Sequence, residues 1–168
     1  MALKGPGGTP LTLPESQISG GSLGGLVAFR SQSLDAAQNA LGRIALTLAQ
    51  NFNDQHKLGI DLTGALGQNF FTLASPVVFS STLNTGTGAP LASFDTANID
   101  ELTTSDYRLA YDGANYKLTR LADSAVVWNA ATLPVSPAPN PSVDGFFIDM
   151  GAWAPNAGDS VLIQPTRQ

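Results

Sequence analysis

The sequence predicts an α+β fold, in which an N-terminal helical segment is followed by a small antiparallel β domain, either a sandwich or a partly open barrel. Apolar residues recur with a helical period before residue 60 and alternate with polar residues after it. The later apolar runs are short and are separated by turn-forming residues, as in all-β domains. With 168 residues, 43% of them hydrophobic, the chain is long enough to bury a core.

Composition divides the chain into three segments. Residues 1–21 are rich in glycine and proline and are expected to be an extended or irregular lead-in. Residues 22–68 form the helical segment, and residues 69–168 form the β-rich part. Residues 133–141 contain four prolines, so we expect this stretch to connect two strands rather than to form one.

The helical segment carries an apolar stripe that repeats every seven residues. The stripe consists of Val27, Leu34, Leu41 and Leu48. Ala45 and Phe52 widen it, and the pattern is closer to a coiled-coil seam than to the face of a surface helix. Such a stripe needs a partner. The sequence leaves two alternatives open, because either the β part or helices outside this chain could cover it.

The ends of the helices are predicted from capping residues. Ser22 is the expected N-cap, and Gly59 is the expected left-handed C-cap. The serines within Ser31–Ser33 are poor residues for a helix interior. The sequence therefore predicts two helices, at about 22–32 and 34–57, or one helix with a kink.

The clearest β element is a hairpin at residues 106–121, which turns at Asp112–Gly113. Alternation predicts a common face formed by Tyr107, Leu109, Tyr111, Tyr116 and Leu118. The other strand candidates are residues 69–73, 76–80, 94–99, 125–129, 145–150 and 160–165. Residues 81–93 are expected to be a loop.

Charge excludes several partners. The net charge is −5, and after residue 60 four cations stand against ten carboxylates. No basic patch is present to neutralise phosphates, which argues against nucleic acid and against anionic membranes as partners. The chain has no cysteine, no apolar run long enough to span a membrane and no signal peptide at its start.

One motif suggests an enzyme. Residues 20–24 fit G-x-S-x-G, the nucleophile elbow of serine hydrolases, with Ser22 as nucleophile and His56 as the single histidine. The elbow requires a core strand before the serine, and polar residues precede it here. We therefore interpret Ser22 as a helix cap and His56 as a solvated residue at a helix end.

Asp61, Thr63 and Gly64 raise the possibility of a calcium loop, but the spacing of an EF-hand is absent. A capping turn is the better interpretation. The sequence thus predicts no catalytic residue, no cofactor and no metal.

The helical stretch resembles a known family. Residues 20–71, "GGSLGGLVAFRSQSLDAAQNALGRIALTLAQNFNDQHKLGIDLTGALGQNFF", are similar to the central helical region of the flagellar hook-associated protein 1 (FlgK) family. The matching residues include Leu26, Arg30, Asn39, Arg43 and Asn53. Residues 102–127 and 158–166 resemble the β domain of that family.

The resemblance implies a structural protein of the bacterial flagellum. Such proteins form a short ring-like layer at the junction between hook and filament, and they are exported unfolded through the flagellar type III apparatus to the outside of the cell. The implied partners are the hook protein, the second junction protein and further copies of the full-length protein. The chain corresponds to the middle of such a protein, without the terminal helical regions, so it is expected to be monomeric or weakly associating.

On this interpretation the apolar stripe belongs to a tubular wall, where neighbouring helices cover it. The resemblance also makes Arg30, Arg43 and Asn53 candidates for buried or inter-element hydrogen bonds. The candidate residues for assembly or packing are Val27, Arg30, Leu34, Leu41, Arg43, Leu48 and Phe52.

The sequence leaves two other functions open. An extracellular adhesive domain or a phage-fibre domain would be favoured if Tyr107, Tyr111, Trp128 and Trp153 clustered on one exposed face. A small serine hydrolase would need Ser22 and His56 within hydrogen-bond reach, with an acid behind the histidine.

Overall fold

The computed structural model describes residues 20–133 and 142–167, together with two short strands near the N-terminus. The predicted connector at 133–141 therefore lies outside the described residues, apart from Leu133. Most of the predicted lead-in at 1–21 lies outside them too.

The chain forms two compact units, Met1–Gln38 and Asn39–Gln168. In the first unit, β1 (Ala2–Lys4) and β2 (Pro10–Thr12) pair antiparallel.

Helical structure covers residues 21–57 as three consecutive segments. These are α1 (Gly21–Phe29), a π-helical segment (Arg30–Leu34) and α2 (Asp35–Lys57). The predicted weak point at Ser31–Ser33 therefore widens the helix locally instead of ending it. The Ser31 hydroxyl donates to the carbonyl oxygen three residues earlier, at 3.3 Å, a contact that perturbs regular α-helical bonding. No helix in the described part of the chain is both long and apolar enough to cross a membrane.

Both predicted helix caps are wrong. Helix α1 begins at Gly21, its N-cap residue is Gly20, and no side chain caps it, so Ser22 is already inside the first turn. Gly20 has a φ of 114°, a conformation open mainly to glycine, and this lets the chain enter the helix without a serine cap. Gly59 is not left-handed. Its N–H donates to the carbonyl of His56 at 3.1 Å, in a tight turn that follows α2.

The second unit contains two antiparallel sheets. Five strands pair in the order β3-β9-β5-β6-β7, and β4 pairs with β8. The strands are β3 (Val77–Ser80), β4 (Leu91–Phe94), β5 (Tyr107–Tyr111), β6 (Tyr116–Arg120), β7 (Val126–Ala130), β8 (Phe146–Asp149) and β9 (Ser160–Gln164). Among the described residues these strands form two sheets and do not close into a barrel. The predicted α+β fold class is confirmed.

The core lies between the two sheets. On the larger sheet the inward positions of β5, β6 and β9 are almost completely buried. The smaller sheet covers them through Phe146, whose ring meets that of Tyr107 edge to face at 4.9 Å between centroids. Because alternate residues point to opposite faces of a strand, the period of two in the sequence accounts for this core.

The predicted hairpin is confirmed. Strands β5 and β6 pair with Leu109 opposite Leu118 and Tyr111 opposite Tyr116. The turn is a four-residue loop, in which the Asp112 carboxylate accepts hydrogen bonds from the backbone N–H groups of Ala114 and Asn115.

Two predicted strands are wrong. Residues 69–73 are not a strand, because the N–H groups of Phe70 and Phe71 bond to a side chain of α2 instead of to a neighbouring strand. Only Phe94 of residues 94–99 belongs to a strand, because the chain turns at 95–98, where the Asp95 carboxylate accepts from the backbone of Ala97. The structure also adds β4, which lies partly within the predicted loop at 81–93.

Acid should weaken the β part through Asp159. This side chain is only 3% exposed, and the backbone N–H groups of Thr85, Asn156 and Gly86 donate to it at 2.8 Å each. Hydrogen bonds from the backbone of Thr85 and Asn156 lower the pKa of the Asp159 carboxyl below its usual value. A lowered pKa in the folded state contributes stability above the unfolded-state pKa of about 4, and that stability is lost as the pH falls through the folded-state pKa.

We therefore expect Asp159→Asn to reduce the urea midpoint at pH 7 and to shrink the difference in midpoint between pH 7 and pH 3. Asp100→Asn is the control, since that carboxylate is exposed and accepts no hydrogen bond from the described residues. An unchanged midpoint at pH 7 in Asp159→Asn would contradict this role.

Candidate interaction surface

Helix α2 buries an unusually polar face. The residues of α2 that are buried are Asn39, Leu46, Gln50 and Asn53, so one apolar side chain accompanies three amides. Gln50 donates to Asp54 on the next turn, at 2.9 and 3.0 Å from its two carboxylate oxygens. The side of α2 that packs within the chain is thus mostly polar, and its apolar side is left exposed.

Asn53 makes the most complete of these contacts. Its Oδ1 accepts from the backbone N–H groups of Phe70 and Phe71, at 2.9 and 2.8 Å, and its Nδ2 donates to the Phe71 carbonyl at 2.8 Å. The side chain is 1% exposed. The expectation that Asn53 makes a buried hydrogen bond between elements is confirmed.

Near the start of the second unit, Asn39 and Gly42 bring α2 against the end of the sheet. The Nδ2 of Asn39 donates to the Thr104 carbonyl at 3.0 Å and to the Asp106 carboxylate at 3.1 Å. Asp106 also accepts from Arg167, which balances its charge. A side chain at Gly42 would overlap the backbone oxygen of Thr166, so only glycine allows this close approach.

The apolar side of α2 in the second unit is open. Leu41 is 70% exposed and Leu48 67%, and Ile44 and Phe52 are exposed as well. These four side chains, which we call the α2 apolar face, recur at helical spacing on one side. The alternative that the β part covers the stripe is therefore wrong for Leu41 and Leu48.

In the first unit the candidate residues differ in exposure. Val27 is half-buried in α1, and Leu34 in the π-helical segment is exposed. Arg30 is exposed and forms a long ion pair with Asp35 at 3.9 Å. Among the described residues Arg30 therefore does not make the expected hydrogen bond to another part of the fold.

Arg43 lies beside the α2 apolar face and borders a groove. Its Nη2 donates to the carbonyl of Asp100 at 3.3 Å, which agrees with the expected inter-element hydrogen bond. The groove has a volume of about 380 Å³ and is open to solvent. Its lining consists of Ala40, Arg43, Ile44, Thr47, Asp100 and Thr104.

At the C-terminal end of α2 the apolar face continues into an exposed aromatic cluster. The ring of Phe52 meets those of Phe70 and Phe71 edge to face, each at 5.4 Å between centroids. His56 stacks on Phe52 at 6.1 Å, and its Nδ1 lies 2.6 Å from the Gln68 carbonyl. The hydrogen bonds of Asn53 fix the backbone of Phe70 and Phe71 within this cluster.

The geometry does not support the sites that the sequence offered as alternatives. Ser22 lies in the first turn of α1 without capping it, and His56 is engaged by the Gln68 carbonyl. Tyr107 and Trp153 are buried in the core, so the exposed aromatic face expected of an adhesive domain is not formed from these residues.

Asp61 binds the backbone of its own turn, as the capping interpretation predicts. Among the described residues no side-chain group is arranged to hold a metal ion.

Sequence reasoning missed the polar contacts of Asn39 and Gln50 and the close approach of the backbone at Gly42. A glycine within an otherwise strong helix was the available sign of a close approach, but it does not identify the partner. Nothing in the local sequence distinguishes a buried helical asparagine from a solvated one.

Comparison with known proteins identifies relatives along nearly the whole chain. The family model described as the flagellar hook-associated protein FlgK helical domain matches residues 1–71. A second model, described as the flagellar hook-associated protein 1 D2-like domain, matches residues 79–165.

Flagellar hook-associated protein 1 of Salmonella typhimurium is 35% identical over 155 residues, and that of Escherichia coli is 36% identical over 157. In both cases 92% of this chain is covered, and the chain spans only 27% of the relative. The flagellar hook junction protein FlgK of Burkholderia pseudomallei has a similar structure, with a TM-score of 0.81 and 41% identity. That match covers 95% of this chain and 28% of the other.

Proposed function

The chain belongs to the flagellar hook-associated protein 1 family, and from this we propose that it is part of a structural protein at the junction between hook and filament of a bacterial flagellum. The proposal assigns it no catalytic role. The observation that carries it is the α2 apolar face, which is exposed here although the fold beside it is fully formed.

Several features favour assembly at this surface. Burying a leucine stabilises a complex by roughly 1.5–3 kcal/mol, so two exposed leucines, an isoleucine and a phenylalanine offer a large gain to a covering helix. The spacing of Leu41 and Leu48 suits a helical partner. The aromatic cluster at the end of α2 extends the same apolar surface. We propose that helical regions of the complete protein, or of adjacent axial subunits, cover it.

The remaining parts of the proposal follow from this role. The partners are the hook protein, the second junction protein and further copies of the full-length protein. The protein acts outside the cell, after export through the flagellar type III apparatus. We also propose the division into a lead-in at 1–21, a helical segment at 22–68 and an outer β part at 69–168, with the β part projecting from the wall.

Leu41→Asp tests the assembly role. Because Leu41 is 70% exposed, the change should alter the free energy of unfolding of this chain by no more than about 0.5 kcal/mol. In the full-length protein it should prevent filament growth on completed hooks, because a carboxylate would have to be desolvated in the covered face. The measurements are urea unfolding of the chain, and counts of filaments in cells that lack their own copy of the protein.

Thr82→Asp is the matched control, since it adds the same charge at an exposed polar position away from α2. It should leave both unfolding and filament number unchanged. Normal filaments in Leu41→Asp cells would refute the proposed role of the face, and so would loss of the fold in the isolated chain.

A further inference from the structure

The outward face of the five-stranded sheet is open, and its side chains follow the pairing register. One row crosses all five strands through Phe79, Leu162, Arg108, Thr119 and Val126. Strands lie about 4.8 Å apart, so the row extends over roughly 19 Å. Phe79, Arg108 and Val126 are exposed. This surface, which we call the outer sheet face, is large enough to contact another protein.

The outer sheet face is basic in an acidic chain. Arg108 and Lys117 occupy neighbouring outward positions of β5 and β6, and both are exposed. None of the outward positions of the five strands is a carboxylate. The chain as a whole has a net charge of −5. Positive charge is therefore concentrated on this face, between the apolar side chains of Phe79 and Val126.

The other two cations after residue 60 have carboxylate partners. Arg120 pairs with Asp123 and Asp144, and Arg167 pairs with Asp106. Within the described residues, Arg108 and Lys117 make neither a hydrogen bond nor an ion pair. The backbone N–H groups of Asn115 and Ala114 lower the pKa of the Asp112 carboxyl most. Lys117 lowers the same pKa by less.

The carboxylates of the β part also divide into a group with hydrogen-bond or ion-pair partners and a pair without them. Eight of the ten carboxylates after residue 60 accept hydrogen bonds or form ion pairs: Asp61, Asp95, Asp106, Asp112, Asp123, Asp144, Asp149 and Asp159. The other two, Asp100 and Glu101, are adjacent in a 3₁₀ turn and exposed. Their side chains have no hydrogen-bond or ion-pair partner among the described residues.

We propose that the outer sheet face of one copy docks on the Asp100–Glu101 turn of a second copy, with Arg108 and Lys117 opposite the two carboxylates. The argument is charge complementarity, because the two cations and the two carboxylates left without partners lie on separate surfaces of the same chain. Such a contact joins two different surfaces, so it is heterologous and continues from copy to copy, as a ring requires. It goes beyond the proposed function, since the four charged side chains that it joins all belong to the β part.

Salt dependence is the first test. Sedimentation equilibrium of this chain should show an average mass that rises with protein concentration at ~20 mM salt and stays at the monomer value at ~0.5 M, where screening acts within a few ångströms. A monomer at every concentration in low salt would overturn the proposal. Association that persists in high salt and disappears in Leu41→Asp would also overturn it, and would place the contact on α2.

Two charge reversals give the second test. The face variant carries Arg108→Glu and Lys117→Glu, and the turn variant carries Asp100→Lys and Glu101→Lys. Each alone should lose self-association, because like charges then face each other. An equimolar mixture should associate again, because every reversed face then finds a reversed turn.

The turn variant separates specific docking from net charge. It brings the chain close to neutrality, so general repulsion would predict stronger self-association than in the original chain, whereas docking predicts none. The single variant Arg108→Glu should weaken self-association. Lys57→Glu changes the net charge by the same amount and should leave self-association unchanged. Should a reversal lower the melting temperature, the neutral pair Arg108→Gln and Lys117→Gln replaces it. Failure of the mixture of folded variants to associate would refute the pairing.

Discussion

Replacing Asn53 with alanine should lower the free energy of unfolding of this chain by about 2–5 kcal/mol. The amide makes three hydrogen bonds of 2.8–2.9 Å to the backbone of Phe70 and Phe71 and is 1% exposed. Truncation removes the acceptor for two N–H groups and the donor for one carbonyl, and it opens a cavity beneath the chain that leaves α2. Urea unfolding followed by circular dichroism measures the effect.

Two variants at nearby positions sharpen this experiment. Asn53→Asp keeps the acceptor for the two N–H groups but places a second oxygen against the Phe71 carbonyl, so its stability should also fall. Asn51→Ala removes an amide from the exposed side of the same helix and should change stability by no more than about 0.5 kcal/mol. Equal stability of Asn53→Ala and Asn51→Ala would show that the contact contributes nothing.

The same contact explains why one strand prediction failed. The run around Phe70 and Phe71 has the aromatic content of a strand, and propensity alone favours that assignment. A strand also needs a neighbour for its N–H groups. Here the Asn53 side chain supplies the acceptor, so the segment is fixed against a helix instead of a sheet. A contact between residues far apart in sequence overrode a local preference.

The hairpin shows the opposite case. Its alternation, its turn residues and its partner strand are all contiguous, so the local sequence contains the information that specifies the register. The seven-residue apolar stripe was also predictable from the sequence, since helical period depends only on local spacing. The sequence did not predict which side of α2 packs within this chain. A helical period does not reveal that the side with Asn39, Gln50 and Asn53 is the buried one.

The helix start failed for a related reason. Ser22 is a good cap in isolation, but Gly20 and Gly21 both adopt positive φ and let the helix begin before the serine. Residues 94–99 carry strand-forming side chains, yet Asp95 bonds to Ala97 and Asn98 and turns the chain. In each case a backbone conformation or a side-chain acceptor competed with propensity.

Gly42→Ala should lower the melting temperature of the chain, although alanine is the better helix former. In a solvated helix this change would stabilise by about 1 kcal/mol. Here the added methyl group would lie 1.7 Å from the backbone oxygen of Thr166. Thr166 is itself buried, after the end of β9, so α2 must move away from the sheet and strain the bonds of Asn39. We expect a net loss of about 1–3 kcal/mol. Gly25→Ala is the matched control, since no described atom lies within 4 Å of the added methyl group in α1 and stability should be unchanged or higher. Equal melting temperatures for the two variants would contradict the close approach of α2 to the sheet.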